Sequence, residues 1–568
     1  MSDATDPTDG SENPRAGTTE PDAATAATVA TVRATAERWL AAEPDGDIRA
    51  ELQQLLDGAA LDAEAQLAER FSGRLQFGTA GLRAAVGAGS MRMNRLVVRQ
   101  AAAGLAEHLL AVDPRACERG VIIGYDARRK SDLFAVDTAR VLAAKGIRSM
   151  LFDRIVPTPV LAWSITEVDA CAGIVVTASH NPPADNGYKV YLGDGAQIVP
   201  PSDEQISAQI ERVDPTSVEL AAEDDPLITT VGSELIDAYV AMTATVRLRP
   251  EVAGVPVAYT PMHGVAGDTL VRAFAAAGLP EPIVVAEQFE PDPAFPTVAF
   301  PNPEEPGAMD LLLEVARGAD AHVAIASDPD GDRLGAAIPQ PDGSWRRLGG
   351  DEIGWLFADH ILRHTAPPEG EPDDRLVVTT LVSSSLLAKM AEAHGVRSEE
   401  TFTGFKWIAR TVLDHPELRF VFGYEQALGY LVAPRPLDKD GITAAVLFAE
   451  IAAVAAADGV TLQDRIDAIA ATYGRYTMAE LSIRMEPAAA AAAVAALRAS
   501  PPAELAGATV VEVAEYPEAG LLRLVLDGGI RVQVRPSGTE PKVKLYGEAV
   551  DADPTPHLHA LTPHLQRN

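Results

Sequence analysis

A recurring theme organises this chain: a short β-rich run, a polar loop bearing glycine or proline, then a helical pattern. The runs are VIIGY (121–125), AGIVV (172–176), VPVAYT (255–260), HVAIA (322–326), RLVVTTL (375–381), RFVFG (419–423) and IRVQV (530–534). Alternation of this kind predicts α/β domains with largely parallel sheets. In such sheets ligands bind beyond the carboxyl ends of the strands. The polar clusters of this chain all lie there, and they are the first pointer to a site.

At 568 residues the chain is too long for one core, so several domains are expected. Polar or turn-rich stretches at 212–232, 339–347 and 470–475 read as linkers. They divide the chain into domains at 29–220, 233–340, 341–465 and 475–568, the last smaller and α+β. Residues 1–28 carry Asp, Thr, Ala, Pro and Gly with no aromatic, a composition that reads as a disordered tail. No internal repeat is visible at the level of sequence.

The formal charge of −34, from 47 basic against 81 acidic residues, argues against nucleic acid or an anionic membrane as partner. It leaves room for a small anion held in a local basic pocket. Cys117 and Cys171 are the only cysteines, so neither a disulfide framework nor a cysteine-ligated metal is expected. No stretch offers about 18 strongly apolar residues, and no signal peptide is read at the N-terminus, which makes the cytoplasm the expected compartment.

SDPDGDR (327–333) alternates Asp328, Asp330 and Asp332 beyond an apolar run, a spacing of hard oxygen ligands suited to Mg²⁺ or Ca²⁺. An EF-hand loop does not fit, because its glycine position holds Arg333 and its final glutamate position holds Pro339. A solvated acidic turn is the plain alternative. RPSGTEPKVK (535–544) puts Arg535, Ser537, Gly538, Thr539 and Lys542 at a strand end, donors apt for phosphate, or else a surface hairpin turn.

TASHNPPADNGYKVY (177–191) sets Ser179 next to His180 and then breaks the chain with Asn181-Pro182-Pro183. No G-x-S-x-G elbow is present. On an extended backbone His180 points away from Ser179, so a serine hydrolase is disfavoured. A serine near a metal cluster and a phosphate loop suits a phosphoryl carrier, and Lys189 a proton shuttle, a phosphate cation or simply an exposed strand lysine. FGTAGLR (77–83) ends a small-residue turn in Arg83, and TGFKWI (403–408) places Gly404 and Lys406 at another. In GYEQALGY (423–430), Glu425, followed by Gln426, holds ligand hydroxyls or caps a helix.

Together these motifs resemble the α-D-phosphohexomutase superfamily over nearly the whole chain beyond the tail. GTAGLR, MHGV, FPNPEE, TGFKWI and GYEQALGY…DKDG look closest to its phosphoglucomutase-2/phosphopentomutase-like branch. Many phosphoglucomutase/phosphomannomutase members have a serine two residues after the sugar-loop glutamate, and here Ala427 stands there. The resemblance implies three α/β domains and a smaller α+β domain around a central cleft. It implies Ser179 as a phosphorylated serine, with Mg²⁺ held by its phosphate, Asp328, Asp330 and Asp332. Arg83, His180, Lys189, Arg333 and Lys406 would be catalytic, with Lys189 the general acid/base. Gly404, Glu425 and Gln426 would bind the sugar, and Arg535, Ser537, Gly538, Thr539 and Lys542 its non-reacting phosphate.

The implied activity moves phosphate between C1 and C6 of a hexose through a bisphosphate such as glucose 1,6-bisphosphate, with glucose first and mannose second. The alternatives are a phosphopentomutase, a sugar-1,6-bisphosphate synthase using an external donor, and a non-catalytic phosphosugar- or Ca²⁺-binding protein. The expected partner is a small phosphosugar, and the expected state is monomer or homodimer.

Overall fold

The computed structural model describes residues 23–59, 61–77, 81–537 and 541–566. Two compact units form, one from the chain up to Arg74 with Ala88–Met91, the other from Leu75–Gly87 and the chain from Arg92 onward. In the first unit the helices Ala23–Ala42, Gly46–Leu56 and Ala63–Arg70 bury Trp39, Ile48, Leu52, Leu55 and Leu67. Trp39 meets Phe71 edge-on at 5.7 Å, and Arg70 pairs with Glu51 at 2.8 Å. Most of the stretch expected as a disordered tail, residues 1–22, lies outside the described residues. Residues 23–28 are already helical, as the strong helix propensity of their alanines favours.

The second unit holds four sheets. The first contains β1 (Leu82–Ala85), β2 (Val121–Tyr125), β3 (Ser149–Phe152), β4 (Ala172–Val176), β5 (Asp185–Leu192) and β6 (Ile228–Val231) in the order β1-β5-β4-β2-β3-β6. The second contains β7 (Val257–Thr260), β8 (Ile283–Val284), β9 (Val323–Ser327), β10 (Leu334–Pro339) and β11 (Trp345–Arg347), ordered β11-β10-β9-β7-β8. The third is β13-β12-β14-β15, with β12 Arg375–Thr380, β13 Arg397–Thr401, β14 Arg419–Glu425 and β15 Gly429–Leu431.

These three sheets repeat one topology that the sequence conceals. In each, a first strand lies parallel between a second and a third: β2 between β3 and β4, β7 between β8 and β9, β12 between β13 and β14. A fourth strand, β5, β10 or β15, then returns antiparallel beside the third. The connections to that return, 177–184, 328–333 and 426–428, are too short for a parallel crossover, which takes a dozen residues or more. The sheets are therefore mixed rather than largely parallel. Those three tight connections are the motif loops, all at carboxyl ends of parallel strands.

Two of the expected linkers carry structure. Ile228–Val231 pairs with β3 as the edge of the first sheet, and Trp345–Arg347 forms a hairpin with β10. The first sheet therefore runs past residue 220 and the second past 340. Edge strands of three or four residues are too short to show a period against their polar flanks. The helix Leu462–Tyr473 likewise runs through the expected boundary at 465, and the chain then turns at Gly474 into the fourth sheet.

That sheet is wholly antiparallel: β16 (Tyr476–Arg484), β17 (Glu504–Leu505), β18 (Ala508–Tyr516), β19 (Leu521–Leu526), β20 (Ile530–Pro536) and β21 (Lys542–Val550), ordered β16-β21-β20-β19-β18-β17. One hydrophobic core runs beneath the first three sheets, from Ile122 to Ile469, while the fourth sheet has its own. A small apolar cluster, including Leu381, Val382, Leu521 and Tyr546, bridges them, and Tyr476 and Met478 of β16 pack against the shared core. Among the described residues no single helix is long and apolar enough to cross a membrane. The most apolar one, Gly441–Ala457, is buried in the shared core.

Candidate active site

The loop after β4 is held in a shape that its local sequence does not announce. Ser179 has φ 53°, in the left-handed region, where a non-glycine residue is uncommon and stored strain marks functional sites. Its N–H donates to Thr177 Oγ1 at 2.9 Å. From below, Arg128 donates to four backbone carbonyls of the loop: Ser179 at 2.5 Å, Asn181 at 2.6 Å, Pro182 at 2.8 Å and Asp185 at 3.1 Å. Arg128 is itself fixed by Asp126, whose Oδ1 accepts from the Arg128 N–H and from Ser131 Oγ. The left-handed turn folds the chain back, so His180 Nδ1 lies 3.1 Å from Ser179 Oγ. The expectation that His180 points away is corrected, because it assumed an extended backbone.

Across the domain seam, Ser179 Oγ donates to Asp328 Oδ2 at 2.9 Å. Asp328, Asp330 and Asp332 are all fully buried, with one oxygen of each within 4.8 Å of the others. The loop that carries them closes with the Gly331 N–H on the Asp328 carbonyl. It is braced by the PMHGV turn of the same domain, where Val265 N–H donates to the Pro329 carbonyl at 2.8 Å. Gly264 lies so close that a Cβ there would sit 2.4 Å from Pro329 Cα.

Cations from three domains neutralise the cluster. Lys189 Nζ donates to Asp330 Oδ2 at 2.7 Å and Asp332 Oδ2 at 2.9 Å, and Lys439 Nζ lies 3.1 Å from Asp332 Oδ2. Arg333 donates its N–H to Asp328 Oδ1 at 3.0 Å and sets its guanidinium 3.9 Å from Oδ2. Thr158 adds a hydroxyl to Asp330 Oδ2 at 2.8 Å. Burial, with the charges of Asp330 and Asp332 behind it, pushes the Asp328 carboxyl well above its ordinary range. Burial acts the same way on Asp330, but the Lys189 ammonium overcomes it and holds that carboxyl low. Burial also works against the Lys189 charge, and Asp330 and Asp332 outweigh it, so Lys189 stays an ammonium. His180 is held well below its ordinary value by burial and by Arg333 and Arg83, so its ring is neutral.

The cluster fits a hard divalent cation. Asp330 Oδ1 and Asp332 Oδ1 are buried with no hydrogen-bond donor among the described residues. A bare buried carboxylate oxygen is costly, and an oxygen-seeking cation such as Mg²⁺ is what satisfies it.

Other expected residues gather around this centre or lie away from it. Arg83 Nη1 donates to Asn181 Oδ1 at 2.8 Å, under the serine loop. Glu425 Oε2 accepts from the Gly404 N–H at 3.0 Å, tying two motif loops together, and Gln426 Oε1 accepts from Ser383 Oγ at 2.8 Å. Lys406 is buried against the Ile198 carbonyl at 3.5 Å and the Trp407 ring, apart from the aspartate cluster. Arg535 Nη2 reaches the Tyr546 hydroxyl at 3.5 Å, and Ser537 N–H closes the β20–β21 hairpin on the Lys542 carbonyl. Gly538 and Thr539 lie outside the described residues.

Four residues of the site escape the motif reading: Arg128, Thr158, Lys439 and Glu304, whose carboxylate lies 3.7 Å from Arg333 Nη1. Lys439 had a signal in DKDG and Arg128 in its place beyond β2. Glu304 had one in FPNPEE, and Thr158 had none.

A serine hydroxyl bonded to a buried carboxylate triad, set among three repeated α/β layers and a fourth domain, defines a sugar-phosphate mutase of the phosphotransferase type. The chain belongs to the phosphoglucomutase/phosphomannomutase family. Its alpha/beta/alpha domain I matches residues 74–217, domain II 237–343, domain III 349–473 and the C-terminal domain 480–558. It is 42% identical over 473 residues to a Haemophilus influenzae protein named "Probable phosphomannomutase", covering 82% of this chain and 94% of that one. It is 36% identical over 461 residues to the Mus musculus phosphopentomutase, covering 77% and 73%. A phosphoglucomutase/phosphomannomutase family protein of Burkholderia thailandensis shares the fold with a TM-score of 0.68 at 21% identity, over 86% of this chain and 97% of that one.

Proposed function

We propose that this enzyme moves a phosphoryl group between C1 and C6 of a hexose phosphate, glucose 1-phosphate to glucose 6-phosphate first, through a phosphorylated Ser179. The observation that carries the proposal is the 2.9 Å bond from Ser179 Oγ to Asp328, beside the bare oxygens of Asp330 and Asp332. In the first half-reaction the free sugar hydroxyl attacks the phosphorus on Ser179. The Ser179 Oγ–P bond breaks, Lys189 gives its proton to the departing Ser179 Oγ and takes up the one that the sugar hydroxyl sheds, and a sugar 1,6-bisphosphate results. After the sugar turns around, Ser179 Oγ takes the other phosphoryl group back, the sugar O–P bond breaks, and the serine proton passes by way of Lys189 to the sugar oxygen. Mg²⁺, held by Asp328, Asp330, Asp332 and the serine phosphate, would stabilise the charge on the transferring group.

The chain's own residues position and move protons. Arg128 and Thr177 fix Ser179 in its left-handed bend, which presents Oγ to the seam. Neutral His180 touches Oγ without adding charge to a crowded cationic rim. Lys189 serves as the acid/base and enters the cycle as an ammonium. Arg83 and Arg333 supply cationic contacts to phosphate, and Glu425 with Gln426 supplies acceptors for sugar hydroxyls. Arg535, Ser537, Gly538, Thr539 and Lys542 grip the phosphate that does not react, and positioning of this kind is the main source of rate.

The test is a coupled assay with Mg²⁺ and trace glucose 1,6-bisphosphate on glucose, mannose, glucosamine and pentose 1-phosphates. Turnover of glucose 1-phosphate above the others is expected. Preference for ribose or deoxyribose phosphate would make it a phosphopentomutase, a reading with which the likeness to the mouse enzyme is consistent. Bisphosphate formation that needs a separate phosphoryl donor would make it a bisphosphate synthase. No turnover with any of them, with cation and phosphoserine both present, would overturn the mutase reading.

A further inference from the structure

The turn Leu381–Ser385, beyond the carboxyl end of β12, is gripped from two sides. On one side stands the loop of Glu425 and Gln426. Ser383 Oγ donates to Gln426 Oε1 at 2.8 Å and accepts the Gln426 N–H at 3.1 Å, so one hydroxyl fixes both ends of that residue. On the other side stands the fourth domain. Arg531 Nη2 donates to the Ser383 carbonyl at 2.5 Å, and Arg523 Nη2 donates to the Leu381 carbonyl at 3.0 Å. Glu548 accepts from the Ser385 N–H at 2.8 Å and from its hydroxyl at 2.5 Å.

Arg531 and Glu548 face each other in register across β20 and β21, 3.2 Å apart, and both are buried. Arg531 precedes Arg535 by four residues on β20, so the two share one face of the strand. β20 runs from the Ser383 contact to Arg535, one of the residues proposed to grip phosphate. The same seam carries the apolar cluster of Leu381, Val382, Leu521 and Tyr546, the packing of Tyr476 on Trp355, and ion pairs from Arg523 and Arg531 to Glu400. The buried bonds from Arg531, Arg523 and Glu548 to the turn are directional and fix its place against β20, with only Arg531 Nε lacking a partner among the described residues. A shift of β20 cannot leave Ser383 in place without breaking a buried bond to a guanidinium.

We propose that Ser383 relays the seating of β20 to the Glu425–Gln426 loop, so that phosphate held by the fourth domain sets the sugar contacts of the third. Ser383 and Arg531 are then positioning residues, acting through Gln426. What the two loops bind rests on the mutase reading; the mechanical link between them does not.

Hydrogen exchange on the full chain tests the link, with inorganic phosphate as the probe. In the wild type, phosphate slows exchange both at Arg535–Ser537 and at Ala427–Gly429, the latter by about tenfold, an ordinary size for coupling between sites. In Ser383→Ala the first slowing persists and the second is lost. Equal slowing at Ala427–Gly429 in both proteins overturns the relay, as does its absence in the wild type. Phosphate that protects neither segment removes the relay's input and overturns it too. If Ser383→Ala does not fold, Arg531→Lys, which keeps a charge beside Glu548 and loses the fork, is read in the same way. A kinetic arm adds a double-mutant cycle. Losses in kcat/KM from Arg531→Lys and Gln426→Ala, residues joined through Ser383, should fall short of additivity, and strict additivity would count against the relay. A wild type that turns over no phosphosugar would strike the mutase reading alone, since the exchange measurement needs no turnover.

Discussion

The Lys189 ammonium lies 2.7 Å from Asp330 Oδ2, a contact between the first and second domains in which both partners are fully buried. It is the cation that Asp330 and Asp332 share, while Lys439 reaches only Asp332 of the two. Breaking a buried pair by removing one partner typically costs about 3–5 kcal/mol. Lys189→Met should therefore lower the Tm in the absence of divalent cation, and Mg²⁺ should raise the Tm of the variant more than that of the wild type. Turnover should fall by about 10²–10⁴-fold, the usual contribution of a positioned acid/base. Thermal unfolding with and without Mg²⁺, beside the mutase assay, checks both. An equal Mg²⁺ shift in the two proteins would mean that Lys189 does not compete for those carboxylates.

Ser179→Ala removes one hydroxyl and its bond to Asp328 while leaving the Arg128 cradle in place. The net stability change should be modest, about 1 kcal/mol for a single hydrogen bond. Sustained turnover should vanish, and so should phosphate labelling of the protein by radiolabelled glucose 1,6-bisphosphate. Near-wild-type activity would remove Ser179 from the phosphoryl path.

The parts of the site that were legible in the sequence are those whose chemistry is local. Asp328, Asp330 and Asp332 alternate directly after an apolar run, so their convergence needed only the strand end that precedes them. The orientation of His180 was hidden, because it depends on a left-handed Ser179 that the distant Arg128 enforces through four carbonyls. Thr158 and Lys439 reach the aspartates from elements 172 and 107 residues away from Asp330 and Asp332, and tertiary packing alone brings them there. The threefold topology was equally hidden. Each layer buries different side chains, so the repeat survives in strand order and not in residue pattern. Ile228–Val231 and Trp345–Arg347 were lost for the simpler reason that such short edge strands look like the loops around them.

Gly264 offers a test of the metal loop that leaves every aspartate in place. A Cβ at this position would lie 2.4 Å from both the Cα and the carbonyl oxygen of Pro329, which are backbone atoms that cannot swing aside. Gly264→Ala must therefore move the loop between Asp328 and Asp330. Overpacking of this kind costs about 1–3 kcal/mol. Weaker cation dependence should accompany it, with the Mg²⁺ concentration for half-maximal activity raised severalfold. Activity that falls with an unchanged Mg²⁺ requirement would mean that the loop moved as a rigid body or not at all.

Asp351 gives the pH dependence its clearest sign. It is buried, accepts the Ser384 N–H at 2.7 Å and the Tyr424 hydroxyl at 2.8 Å, and among the described residues has no arginine or lysine as a hydrogen-bond partner. Burial raises its pKa to about 6, only partly offset by those two donors, against an ordinary value of 3.8. Between about pH 4 and pH 6 the folded protein thus keeps a proton that the unfolded chain has released. Stability from this group is full below that window, falls as pH rises through it, and is flat above. The total loss is about 3 kcal/mol at 1.36 kcal/mol per pKa unit. Asp351→Asn keeps an acceptor for both donors and removes the charge, so its stability relative to wild type should climb by that order between pH 4 and pH 7.5. Whatever constant cost the new amide brings cancels in that difference. Denaturant unfolding of the two proteins across the pH range measures it, and parallel stability curves would show that Asp351 does not carry its proton into the fold.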